Sequence, residues 1–228
     1  MTDQTIHNLL MKLNHSKTSE YVFKRRIGKQ VEVAKVWLEK FTMLDFVSND
    51  LGDYRFFLIQ NEAGIYVAAI LDMHRDLHGY VLPEYRKQGY LTKALQRVIL
   101  PFLFYDKECE SLRITIDRQR LGEDGYRASE KVALAVGFQL RSLHTGVFIL
   151  EKSAFDWSHE ALQEHNQRVD GGHLEVIRRR LFYVTRLLYQ ISDELQMAFD
   201  DDEGLREEAR KIWNYIGKLE RKERNQTE

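Results

Sequence analysis

Apolar and polar positions change period several times along the chain, and each change predicts an element. Tyr54 to Gln60 and Ile65 to Met73 are compact runs of aromatic and β-branched residues. Asn61-Glu62-Ala63-Gly64 separates them, so two strands joined by a turn are expected. His74 to Leu77 reads as a short connection and His78 to Leu82 as the next strand, stopped by Pro83, which has no N–H for a ladder. Leu91, Leu95, Val98 and Ile99 recur at helical spacing; a helix is expected from about Thr92 to Tyr105, kinked or broken near Leu100 by Pro101. Leu112 to Ile116 alternates as a strand, and the helical crossover makes it parallel to the Tyr80 strand. Asp117 to Gly125 reads as a charged loop. Ala128, Val132, Ala133 and Val136 suggest a short helix ending on a left-handed Gly137, followed by a hairpin of Phe138 to Leu143 and Gly146 to Glu151. Upstream, residues 1–19 are mostly polar, with one amphipathic turn at Leu9, Leu10 and Leu13. Tyr21 to Arg26 reads as a first strand, and Val33, Val36, Trp37, Phe41, Leu44 and Phe46 as a helix from about Gln30, ending before Gly52.

The C-terminal third follows another rule. Leu174, Ile177, Leu181, Val184, Leu188, Ile191, Leu195 and Ala198 alternate spacings of three and four, the seam of a heptad repeat. Asp200 to Glu203 and Gly204 interrupt it, and Leu205, Ala209, Ile212, Ile216 and Leu219 resume it. This predicts a helical hairpin turning at 200–204, with Asp202 capping the second helix. Phe182, Tyr183, Leu187 and Tyr189 widen the apolar surface beyond a strict seam. Such a surface needs a further partner, either the chain's own core or the same hairpin in a second chain. Closed two-fold pairing makes a homodimer the expectation. The resulting division is an N-terminal polar segment (1–19), an α/β domain (20–152) and a helical-hairpin extension (153–228).

Composition narrows the classes. Of 228 residues, 43% are hydrophobic and 30% charged, enough to form a core. The formal net charge of -1 supplies no strong field for nucleic acid or an anionic membrane. The single cysteine, Cys109, excludes an intramolecular disulfide, and no Cys/His spacing suits a metal. Neither a signal-peptide pattern nor an apolar run of membrane length is present, so a cytoplasmic protein is expected.

The chemistry concentrates where the Tyr80 strand meets the following helix. Arg86, Lys87 and Gln88 are long and polar, Gly89 lets backbone approach a ligand, and the first amides of a helix lack partners within it. Strand, basic turn and helix start together make a place for a phosphate or pyrophosphate. Arg86-Lys87-Gln88-Gly89-Tyr90-Leu91 resembles the (Gln/Arg)-x-x-Gly-x-(Gly/Ala) loop of the GCN5-related N-acetyltransferases (GNAT), with Leu91 standing where Gly or Ala is usual. Ser129-Glu130-Lys131-Val132-Ala133-Leu134-Ala135-Val136-Gly137-Phe138 is similar to a second segment of that family, in particular of the branch that acetylates ribosomal-protein N-termini. Tyr126 replaces its usual Asn. The resemblance covers roughly residues 20 to 152.

The resemblance implies a GNAT fold of the α/β (α+β) class, a mixed central sheet with flanking helices. It implies acetyl-CoA as cosubstrate and direct transfer of the acetyl group to a primary amine, without a metal. It implies that the pyrophosphate is gripped by Arg86, Lys87, Gln88, Gly89, Tyr90, Leu91 and Thr92. Pantetheine would lie beside Tyr80, Val81 and Leu82 between strands that splay apart, with a backbone N–H polarising the thioester carbonyl. The helix Tyr that serves as acid in many relatives is replaced by Ala133. Ser129 is the matching hydroxyl, set against a reading as a helix N-terminal cap, and Tyr126 is a second donor or a packing residue. Asp72, His74 and His78 flank the hairpin as candidate bases or as turn residues; His78 is singled out because imidazole suits a base near neutral pH. A protein N-terminus, a lysine, a polyamine and an antibiotic remain open as acceptor. The alternative is a CoA-binding regulatory or oligomeric scaffold protein that keeps the fold with little catalysis. Acetylation of aminoacyl-tRNA is disfavoured by the near-neutral charge.

Overall fold

A computed structural model describes residues 2–15, 22–37, 54–105, 109–142, 145–162 and 171–227. The chain divides into two compact units, 1–165 and 166–228, and each is described by itself.

Among the described residues, the first unit is a mixed α/β structure on one eight-stranded sheet. Strands β1 (Val22–Gly28), β2 (Val31–Val36), β3 (Tyr54–Gln60), β4 (Tyr66–Met73) and β5 (Asp76–Val81) are successive antiparallel neighbours. β6 (Ser111–Thr115) lies parallel to β5, and β8 (Val147–Glu151) sits between β6 and β7 (Gln139–Ser142). The expected runs at 54–60, 66–73 and 112–115 are strands. The Asn61 side chain closes the β3–β4 turn by accepting from Ala63 N (3.0 Å) and Ile65 N (2.9 Å). The connection expected over His74 to Leu77 shortens to His74 and Arg75, both at positive φ (52° and 76°). A two-residue turn of this kind matches the twist of the strands it joins.

Helix α2 (Tyr90–Ala94), a π-helical turn (Leu95–Ile99) and α3 (Leu100–Phe104) carry the chain from β5 to β6, which makes that pair parallel. The disturbance expected at Pro101 takes the form of this widened turn. Pro101 has no N–H for the carbonyl of Arg97, which accepts instead from Ala161 N at 2.7 Å. On this face of the sheet Leu95, Val98 and Ile99 bury against Phe57, Ile59 and Ile70.

Three sequence expectations need correction. Residues Asp3–His15 form a full helix, α1, rather than one turn; Ile6 and Leu10 are wholly buried against Phe56, Leu58 and Leu71 on the opposite face of the sheet. Asn14 ties its end to the sheet, donating to Tyr66 O (2.9 Å) and accepting from Tyr66 N (2.8 Å). Val31 to Val36, expected within a helix, is strand β2. Its Glu32 is buried because the Tyr66 hydroxyl donates to it at 2.6 Å and Lys24 lies 3.4 Å away. Burial, then the bond to Glu32, raises the Tyr66 pKa; for Lys24 burial acts downward, and the Tyr66 hydrogen bond and Glu32 charge outweigh it. The remainder of that expected helix, Phe41, Leu44 and Phe46, lies outside the described residues, as do Tyr21 and Leu143. Asp117 to Gly125 is no loop. Asp117 caps helix α4 (Arg118–Ala135) by accepting from Gln119 N and Arg120 N, and the chain kinks at Gly122 (φ 68°) before continuing. The far end closes as expected, with Gly137 at φ 99° and Phe138 N bonded to Ala133 O at 3.0 Å.

The second unit contains α5 (Gly171–Phe199) and α6 (Leu205–Thr227), which pack together. Phe182 meets Trp213 ring to edge, Tyr189 lies under Arg206, and Ser192 Oγ donates to Asp202 at 2.6 Å. Thr185 and Ser192 are almost wholly buried on this side, with Ala209 and Ile216. On α6 the buried and half-buried positions are the seam read from the sequence, Leu205, Ala209, Ile212, Ile216 and Leu219; on α5 the most buried positions, Thr185 and Ser192, lie beside that seam. Of the α5 seam, Leu181, Leu188 and Leu195 are half-buried, whereas the alternate members Val184, Ile191 and Ala198 are exposed. Asp202 caps α6 as expected, accepting from Gly204 N (3.0 Å) and Arg206 N (3.1 Å).

Candidate active site

β5 has one finished edge and one unfinished edge. The bond from Leu82 N to Val67 O (2.9 Å) sets the phase of its ladder with β4. By alternation, Tyr80 and His78 turn their backbone groups toward β4, whereas Leu77, Gly79 and Val81 turn theirs toward β6. On that side only Asp76 and Arg113 are paired, with Arg113 N donating to Arg75 O at 2.8 Å. A continued parallel ladder would send Thr115 N to the Leu77 carbonyl. It goes to Asp76 Oδ1 instead (3.2 Å), while Asp76 Oδ2 accepts from Thr115 Oγ1 (2.9 Å) and Arg113 Nε (2.9 Å). The Asp76 carboxylate thus ends the ladder after one rung. Beyond it, the backbone of Gly79 and Val81 faces the β6 side without a β6 partner.

The chain leaves this edge through Pro83–Tyr85, a 3₁₀ turn, into the basic loop. Arg86 folds back, donating from Nε to Val81 O (3.1 Å) with its guanidinium 5.9 Å from the Tyr80 ring centroid. Gln88 Nε2 donates to Glu84 O (3.0 Å). Lys87 and Gly89 both have positive φ, 61° and 79°. Two such residues bend the loop so that successive amides can turn inward. Gly89 O accepts from Lys93 N (3.0 Å) and starts the helix; among the described residues the amides of Gly89, Tyr90, Leu91 and Thr92 meet no acceptor. Tyr85 and Tyr90 touch edge to face across the loop. Arg86, Lys87, Gln88 and Gly89 are exposed; Tyr90, Leu91 and Thr92 are half-buried.

Leu91 has a partner that was not visible in the sequence. Its side chain packs over Gly79, where an added Cβ would lie 3.1 Å from Leu91 Cδ2. The larger residue of the helix is matched by a missing side chain on the strand, so Leu91 rests on the sheet.

On the other face, α1 clasps β5. His78 Nε2 lies 2.8 Å from Asp3 Oδ1, and His7 Nδ1 shares a 3.0 Å hydrogen bond with the Tyr80 hydroxyl. Asp3 and His7 are one helical turn apart, and His78 and Tyr80 project on one side of the strand, so the two pairs match. Arg120 from α4 also reaches Asp3 (3.2 Å).

The other candidates lie in different settings. Tyr126 is buried with Arg118 over its ring, and its hydroxyl donates to Glu130. Ser129 is half-buried in the middle of α4. It is not a cap, that place being taken by Asp117, and its hydroxyl makes no hydrogen bond among the described residues. Asp72 is bound by Arg55 (Nε to Oδ2, 2.7 Å) and by Arg75 N (2.8 Å), which makes it part of the hairpin. His74 and Glu84 are exposed on turns, and Cys109 is buried. Sequence reading missed Asp76, Gly79 and the Asp3–His7 clasp. Only the Gly inside the strand was a usable signal, since such a Gly marks close approach of another group.

Comparison with protein-family models, curated proteins and solved structures finds no match to this chain.

Proposed function

We propose that the first unit is an acetyl-CoA-dependent N-acetyltransferase of the GNAT type, with the α5–α6 pair as its helical-hairpin extension. The carrying observation is the β5–β6 pair that opens after one rung, beside a loop whose amides from Gly89 to Thr92 have no acceptor. In this reading the CoA pyrophosphate takes those amides, with Arg86 and Lys87 supplying charge. Pantetheine runs along the open edge of β5, where Gly79 and the Val81 amide supply the backbone partners first ascribed to Tyr80, Val81 and Leu82, the Val81 carbonyl being held by Arg86. The amine nitrogen attacks the thioester carbonyl and the C–S bond breaks. The thiolate takes a proton, and the amine gives one up. A β5 amide polarises the carbonyl, and holding both substrates together supplies much of the rate. Ser129 is the better thiolate donor, because the Tyr126 hydroxyl is engaged with Glu130. His78, oriented by Asp3 through Nε2, keeps Nδ1 for an amine proton.

The space that Leu91 fills above Gly79 favours a second reading, a CoA-binding regulatory protein with little catalysis. Free-thiol release from acetyl-CoA, measured with N-terminal peptides, lysine peptides and polyamines, separates the two. The acetyltransferase reading requires amine-dependent release, slowed by Ser129→Ala with little change in acetyl-CoA affinity. CoA binding without amine-dependent release supports the second reading, and the absence of CoA binding rejects both.

A further inference from the structure

The outer face of α5 carries an apolar stripe of Val176, Tyr183, Val184, Leu187 and Ile191, each between 36% and 65% exposed. This stripe lies across the helix from Phe182, Thr185, Tyr189 and Ser192, the residues turned to α6, so α6 leaves it uncovered. Two charges stand on the same face, at equal distances from Leu187: Arg180 lies seven residues before it and Glu194 seven residues after. Among the described residues neither has an ion-pair partner, whereas neighbouring Arg179 holds Glu175 and Arg206 holds Asp193. Charge along the helix is divided in the same sense. Before Leu187 it carries Arg178, Arg179, Arg180 and Arg186 against Glu175, and after Leu187 it carries Asp193 and Glu194 with no Lys or Arg.

We propose that this face binds a second copy of the chain, α5 against α5 in antiparallel sense, about a two-fold axis at Leu187. The axis places Leu187 against its own copy, Tyr183 against Ile191 and Val176 against Ala198. Arg180 of each chain meets Glu194 of the other, so one contact is made twice. A parallel arrangement would instead set Arg180 beside Arg180 and Glu194 beside Glu194, which like-charge repulsion opposes. The proposal does not depend on the acetyltransferase reading.

Light scattering and sedimentation of the full chain at micromolar concentration test it. The wild-type protein is expected at twice the chain mass. Leu187→Asp, which sets two carboxylates together on the axis, is expected at the single-chain mass. Arg180→Glu and Glu194→Arg are each expected to raise the dimer dissociation constant at least tenfold. Their combination in one chain restores pairing, and so does mixing the two single variants, which forms a heterodimer. These positions are exposed, and unchanged circular dichroism confirms that each variant is folded. A wild-type protein at the single-chain mass would overturn the proposal and leave the stripe to intrachain cover or a different partner. A dimer indifferent to Leu187→Asp would overturn it as well, and failure of the reversed pair to restore association would overturn the antiparallel register.

Discussion

The two edges of β5 are made of the same residues and have opposite fates. Toward β4 every residue from Asp76 to Val81 is in register, and a two-residue turn delivers the strand already aligned. Toward β6 a single residue pair holds, and the next amide is taken by a carboxylate side chain. Backbone groups in a sheet normally satisfy one another. An edge left open inside a sheet needs something to stop the ladder and something to keep neighbours from filling the space. Asp76 performs the first task, and Leu91 packs over Gly79 on one face of the strand. Such an edge is where a ligand with amide groups of its own can pair.

Removing the stop gives the largest expected change in stability. Asp76→Ala takes away three hydrogen bonds and leaves the Thr115 amide without its acceptor, whereas Arg113 is half-exposed and keeps water. The expected loss is about 3 kcal/mol, read from the denaturation midpoint. A loss under about 1 kcal/mol would mean that the ladder closes by itself when the carboxylate is gone.

The open edge matters only if the loop beside it binds something. Gly89 has φ 79° and open space around its Cβ direction, the nearest atom being Lys93 Cε at 3.7 Å. Gly89→Asp therefore fits sterically, at a backbone cost of about 1 kcal/mol. It sets a carboxylate where the pyrophosphate is proposed to lie. Calorimetry is expected to show CoA affinity reduced about a hundredfold, or about 2.7 kcal/mol, in a protein that remains folded. Unchanged affinity would remove the loop from the binding site.

This difference between the edges also decided what was legible in the sequence. Elements whose stability is local were read correctly: the strands either side of Asn61–Gly64, the stop at Pro83 and the cap at Gly137. β2 was mistaken for a helix because Val33, Val36 and Trp37 fall at helical spacing. Its alternation was obscured by Glu32, a polar residue buried only because Lys24 and Tyr66 meet it from other strands. α1 was missed because much of its length is polar and its support, Asn14 on Tyr66 and Asp3 on His78, is remote in sequence. The basic loop after β5 was legible as a loop. The gap beside it was not, because no local pattern says that Asp76 will take the amide of Thr115.

A third experiment sharpens the account of how the edge is kept. Leu91→Ala removes half-buried packing and is expected to cost about 1–2 kcal/mol. Gly79→Ala pushes against Leu91 Cδ2 and is expected to cost about 0.5–1 kcal/mol alone. With Leu91→Ala already present the same change has room and replaces a flexible glycine within a strand, so its cost should vanish or change sign. A coupling of about 1 kcal/mol in this double-mutant cycle would establish that the two residues compensate one another. Simple additivity would mean that they do not.

The smallest effect concerns the same device in the second unit, where a carboxylate also satisfies a turn but leaves no open edge. The Ser192 hydroxyl, followed by the Gly204 amide, holds the Asp202 carboxyl below its ordinary range. A depressed carboxyl pKa stabilises the folded form at pH values above that of the unfolded chain, about 3.9. That contribution is lost as pH falls through the lower folded value. Ser192→Ala removes the largest cause of the depression. The wild-type advantage in thermal unfolding, followed by helical circular dichroism, should therefore be present at neutral pH and shrink as the solution is acidified below the usual aspartate range. An advantage that stays constant through that range would assign the role of Ser192 to packing against α6 and leave Asp202 as a cap for the Gly204 and Arg206 amides alone.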